Sequence, residues 1–182
     1  MPIYRFEDKT PNIHPSAFIA PTAVLVGDVT VEADVSIWYN AVLRGDIAPI
    51  VVRKGANIQE CAVLHGSPGH GIEIGPGASV SHLVMIHGAT LGEECIVGNC
   101  ATILDGAKIG ARALVAACAF VGPGVEVEAG MLTVGMPAKV RGPVAGTPAE
   151  ELIRLNPGAY RAMGHRHRDG ISEVDMPLGP KP

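Results

Sequence analysis

The sequence predicts an all-β fold, a parallel β-helix, on three observations. Apolar residues recur every six positions over most of the chain. Glycine directly follows the apolar anchor at Leu91, Val97, Ile109 and Val121. Aromatic residues make up only 4% of the 182 residues against 47% apolar, which suits narrow layers and tight turns rather than large-ring packing. A helix would need apolar recurrence near 3.6 and an ordinary strand near 2. A period of six fits short strands separated by turns and wound into coils.

In chain order, residues 1–10 read as an N-terminal segment and residues 11–140 as the β-helix. The anchors run Ile13, Ile19, Leu25, Val31 and Ile37, resume at Val52, Ile58 and Leu64, continue at Ile74, Val80 and Ile86, and then hold the step from Leu91 through Ile103 and Val115 to Val127. Three such units make a triangular coil of about 18 residues. About seven coils at the strand spacing give a prism about 33 Å long. Each coil buries its apolar face only against its neighbours. Two irregularities break the rhythm: an inserted loop from Gly66 to Gly71, and a step of five between Ile86 and Leu91. Both fall beside histidines, where a functional site would disturb a regular repeat.

Residues 141–170 read as a helical segment. Thr147, Pro148 and Glu150 give an N-cap, an N1 proline and the N3 acid of a capping box. Leu152, Ile153 and Leu155 would lay a short apolar face on the prism. Pro157 is expected to end or kink that helix, with a second short helix from about Pro157 to His167. His165-Arg166-His167-Arg168 reads as a solvated basic end, and residues 171–182 as a loose tail.

The net charge of −4 offers no electrostatic case for nucleic acid or an anionic membrane. No apolar run approaches the roughly 20 residues of a membrane span, and the N-terminus lacks a signal-peptide pattern, so a cytoplasmic protein is expected. Cys61, Cys95, Cys100 and Cys118 show no CxxC spacing and read as reduced core or turn residues.

The chemistry concentrates in Gln59–Gly88, which holds four of the seven histidines. His65, His82 and His87 sit in strand-like apolar surroundings, and His70 lies in the Gly/Pro-rich loop. Three neutral imidazoles and one open position are the arrangement of catalytic zinc. Spacings of 17 and 22 residues place the three on the same or adjacent coils. His82 and His87 are five apart, so in an extended strand their side chains leave on opposite faces. One prism can hardly direct both at one ion. A cleft between two prisms, with one histidine from a neighbour, is the easier geometry.

Arg44-Gly45-Asp46, Asn57-Ile58-Gln59-Glu60, Val63-Leu64-His65 and the pair His82 and His87 followed by Gly88 closely resemble the motifs of the gamma-class carbonic anhydrase-like proteins, over about residues 10–145. The resemblance implies a left-handed parallel β-helix with a C-terminal α-helix. It implies a homotrimer with Zn(II) or Fe(II) at each interface, and CO2 and bicarbonate as substrate and product. It assigns His65 and His87 to one chain and His82 to its neighbour. A metal-bound hydroxide would attack CO2, with Gln59 orienting it through an amide that does not titrate. Glu60 stands where the family usually has aspartate. Arg44 and Asp46 would form an ion pair supporting the interface.

One departure matters. Ile47 follows Asp46, and the loop carries no carboxylate, so the family's acidic proton shuttle is missing and slow turnover is expected. His70 is the candidate substitute, because an imidazole relays protons at neutral pH. Tyr160 is a further residue placed near the site from the C-terminal segment. Alternative functions are a non-catalytic metal- or siderophore-binding or assembly protein, a metal-dependent thioesterase, and least of all a hexapeptide acyltransferase, which would need a CoA cleft beside a single catalytic histidine.

Overall fold

The computed structural model describes residues 2–174; residues 175–182 of the expected tail lie outside the described residues. The chain forms a parallel β-solenoid of about seven turns with a single C-terminal helix. Every anchor from Ile19 to Val127 is buried, most of them completely, and Ile13 at the open end is half-buried. The anchors stack on themselves: Leu25 on Leu43, Leu43 on Leu64, Leu64 on Ile86, Ile86 on Ile103, and Ile103 on Val121. The core is therefore a set of like-on-like aliphatic columns, which explains the lack of aromatics. Two-residue strands suffice because each is hydrogen-bonded to the coils above and below.

The register steps also reveal a third irregularity that the sequence reading did not single out. Gly27 pairs with Gly45 but Val29 pairs with Ile50, so three extra residues are accommodated within the long strand Val42–Val52. That insertion, the loop 66–71 and the shortened turn after His87 all occupy one corner of the prism. A second corner carries a column of left-handed turn positions: Asn40, Cys61, Leu83, Cys100 and Cys118, with φ between 59° and 61°. Three of the four free cysteines are thus turn residues, and Cys95 is a core residue whose thiol burial pushes up to about 12.

The helix Pro148–Gly170 runs back along the prism. Thr147 is the N-cap and accepts from Ala149 N–H at 3.2 Å, but Glu150 reaches the N–H of Gly146 at 2.8 Å rather than that of the cap residue. The expected break at Pro157 is corrected: one helix of 23 residues passes through it. A central proline costs about 3 kcal/mol in a free helix. Here its ring is buried against the Gly77 turn, and docking along the whole prism offsets the cost. The buried stripe is Ile153, Pro157 and Gly164, with Tyr160 and His167 half-buried on the same side. Leu152 and Leu155, expected on the prism, face outward.

The solvated basic end is corrected in part: Arg166 and Arg168 are exposed as expected, but the run is also docked. His165 bonds Asp34 at 3.2 Å, His167 is enclosed by Phe18, Trp38 and Tyr39, and Arg168 donates to the Ser16 carbonyl at 3.0 Å. These residues fasten the helix end to the first coils. No helix among the described residues is long and apolar enough to cross a membrane.

Candidate metal centre

Strand register builds the site. Arg44, His65 and His87 are direct register partners in Val42–Val52, Val63–His65 and Met85–His87. Each follows a fully buried anchor, Leu43, Leu64 or Ile86, so alternation turns all three outward on one face. His65 and His87 therefore stand side by side, with ring centroids 5.2 Å apart.

Each ring is held by a carboxylate. His65 Nε2 lies 3.1 Å from Asp46 Oδ1, and Arg44 donates to the other oxygen of Asp46 at 2.6 Å. Burial pushes the Asp46 carboxyl up, but the hydrogen bonds from Arg44 and His65 outweigh it and hold the group below its usual value. His87 Nδ1 lies 2.8 Å from Asp105 Oδ1, and that bond is the main reason the Asp105 carboxyl is also lowered. Asp105 was missed in the sequence reading. The signal that could have found it is the short coil: Ile86 stacks on Ile103, which brings the next corner, with Asp105, beside His87.

A neutral imidazole carries one N–H. With those protons directed at Asp46 and Asp105, His65 Nδ1 and His87 Nε2 face each other as lone pairs at 3.2 Å. Two lone pairs at that distance repel unless a proton or cation lies between them. Two nitrogens on one tetrahedral ion, each about 2.1 Å from it, stand about 3.4 Å apart. The pair thus fits a divalent metal of the imidazole-preferring kind.

His82 is elsewhere. It sits on the second corner, at the opposite edge of the same face, with the turn at Leu83 and the strand Met85–His87 between it and His87. Its Nδ1 lies 2.7 Å from Glu60 Oε2, which leaves Nε2 outward. Gln59, only 3% exposed, adjoins Glu60. Its Nε2 donates to Asn57 Oδ1 at 2.9 Å; Asn57 in turn donates to Ser79, and Asn156 of the helix donates to the same hydroxyl. Tyr160 packs on Trp38 near Glu60; burial first, and then that negative charge, push its hydroxyl up. Among the described residues, no three His, Cys, Asp or Glu side chains of one chain converge on a metal position. One chain presents two separate clusters: Arg44, Asp46, His65 and His87 at one edge, and Gln59, Glu60 and His82 at the other.

The inserted loop folds back on itself, with Ser67 and His70 exchanging backbone hydrogen bonds of 2.9 and 3.1 Å. It meets the prism through the Ser67 hydroxyl, which donates to Asp105 at 3.0 Å. His70 lies against Gly88 and Gly106, next to Asp105 rather than on the histidine pair. Ile47 is 53% exposed at this corner.

No protein-family model matches the chain. It is 42% identical over 153 residues to a carbonic anhydrase of Geobacillus kaustophilus, covering 84% of both chains. It is 39% identical over 176 residues to the carnitine operon protein CaiE of Salmonella typhi, covering 96% of this chain and 87% of that one. Among solved structures, a Bacillus cereus protein assigned as an acetyltransferase superposes with a TM-score of 0.88 at 32% identity, over 92% of this chain and 96% of that one. A hexapeptide transferase family protein of Anaplasma phagocytophilum gives 0.86 at 29% identity, over 93% and 98%.

Proposed function

This chain belongs to the gamma-class carbonic anhydrase-like family of hexapeptide-repeat proteins, and from that premise we propose that it catalyses the reversible hydration of CO2 at a divalent metal, Zn(II) or Fe(II), shared between subunits of a homotrimer. The observation that carries this reading is the approach of His65 Nδ1 and His87 Nε2 to 3.2 Å while the other nitrogen of each ring lies against a carboxylate. His65 and His87 of one subunit and His82 of its neighbour would hold the ion. When bound, the ion supplies Lewis acidity that brings the pKa of a water near 7.

The remaining work falls to the chain. Asp46 and Glu60 fix the tautomers of His65 and His82. Gln59 donates one of its two amide N–H groups to Asn57, which orients the amide, and its carbonyl oxygen would accept from the attacking water. Arg44, half-exposed beside Asp46, would reach across the proposed interface with its planar guanidinium. Exposed Ile47, Leu83 and Met85 give apolar surroundings suited to an uncharged substrate. His70, on the loop beside the site, takes the released proton to solvent.

The test is stopped-flow CO2 hydration on anaerobically purified protein with metal content measured on the same sample. Turnover proportional to about one metal per chain, and lost in His82→Ala, supports the anhydrase. A second reading has its own observation, since Ile47 and the loop bring no carboxylate to relay protons. Full metal with no hydration would favour a metal-holding role or hydrolysis of a thioester by the same nucleophile.

A further inference from the structure

Building on the metal-site reading, we propose that Asp105 is a positioning residue for His87, and that the loop 66–71 is the clamp that keeps it there. Asp46 serves His65 and Glu60 serves His82; Asp105 completes the set, so that each of the three imidazoles has its own carboxylate. One oxygen of Asp105 receives both His87 Nδ1, at 2.8 Å, and the Ser67 hydroxyl of the inserted loop, at 3.0 Å. The backbone on either side is tied as well: Gly106 N–H donates to the Gly88 carbonyl at 2.7 Å, and Gly124 N–H donates to the Asp105 carbonyl at 2.8 Å.

The space is cut to fit. Gly88 follows His87 with φ at 57°, and a Cβ there would run into the Asp105 carboxylate and the His70 side chain. A residue with a side chain would push apart the loop and the acid. Without the carboxylate, the His87 ring is free to rotate and present either nitrogen in either tautomer. With it, Nδ1 carries the proton, and Nε2 faces His65 as a more basic ligand. The four extra residues of the 22-residue coil that pairs Leu64 with Ile86 are thereby explained as the piece that carries Ser67 to Asp105.

The test compares wild type with Asp105→Ala, Asp105→Asn and Ser67→Ala. Co(II) affinity is read by competition with a chromophoric chelator, and the His87 tautomer of the metal-free protein by long-range 1H–15N spectra. Expected are a loss of about 10- to 100-fold in Co(II) affinity for Asp105→Ala, a smaller loss for Ser67→Ala, and a wild-type His87 protonated on Nδ1 that loses this preference in the variants. Far-UV circular dichroism and solution mass should stay as in wild type. If Asp105→Ala misfolds, Asp105→Asn, which keeps the shape and drops the charge, is read in its place. Tight wild-type binding matched within about twofold by the folded variants, or a wild-type His87 protonated on Nε2, would overturn the role of Asp105 while leaving the metal reading standing. No Co(II) binding by the wild type would overturn both.

Discussion

His82 hangs from an exposed turn, 44% accessible at its side chain, and its ion-pair partner is Glu60. Truncating it removes at most a surface pair of under about 1 kcal/mol. His82→Ala should therefore keep its melting temperature within a few degrees while metal content falls to background; unfolding instead would make the histidine structural. Gln59 is the opposite case. Its amide is buried and bonded to Asn57, so Gln59→Ala leaves Asn57 short of a donor at a cost of about 1–3 kcal/mol. Its effect on turnover is expected to exceed its effect on metal content, and is to be read per folded molecule. Asp34 carries a pH dependence. Burial raises its carboxyl, but hydrogen bonds from His165 and Ser16 outweigh this and leave it lowered. A depressed carboxyl stabilises the fold above its unfolded value and loses that contribution as pH falls through its folded value. Melting followed from about pH 6 down to about pH 3 should therefore decline more steeply in wild type than in Asp34→Asn. Equal slopes would remove Asp34 from the acid response.

At the scale of elements, the helix shows how docking overrides local preference. Thr147 and Pro148 mark its start as their residue types suggest. Pro157 would be expected to stop it, yet the buried stripe Ile153, Pro157, Gly164 has the spacing of one uninterrupted face. Ile153 packs with Ile96 and Val144 against half-buried Leu114 and Leu132. Ile153→Ala is expected to cost about 2–4 kcal/mol by leaving a cavity, visible as a lower urea midpoint with the helix signal retained. A change under about 0.5 kcal/mol would mean that the helix is held by its polar fastenings rather than by this contact.

At the scale of the molecule, the two clusters stand on opposite edges of one face, so the proposed shared site is tested by subunit mixing. His65→Ala and His82→Ala chains should each fail to hold metal alone. Co-refolded trimers of the two contain interfaces with an intact His65, His87 and His82, so part of the metal content and of the hydration activity should return. Metal that returns in no mixture, with solution mass confirming mixed trimers, would count against the shared site. Removing metal with a chelator should abolish hydration in the wild type and leave the solenoid intact, since the stacked anchors carry its stability.

The six-residue period, the identity of the buried anchors and the helix cap were legible in the sequence, because burial and capping depend on residues close together along the chain. So was the grouping of His65, His82 and His87 within about a coil, and the difficulty of aiming all three from one prism. Only the tertiary structure decided which side chains meet across coils: Asp105 with His87, Glu60 with His82, Gln59 with Asn57 under the helix. Those meetings depend on coil lengths, which two insertions and one shortened turn at one corner change from 18 to 21, 22 and 17 residues. A repeat read along the chain gives the direction each residue faces. It leaves open what that residue faces until every coil has been counted in space.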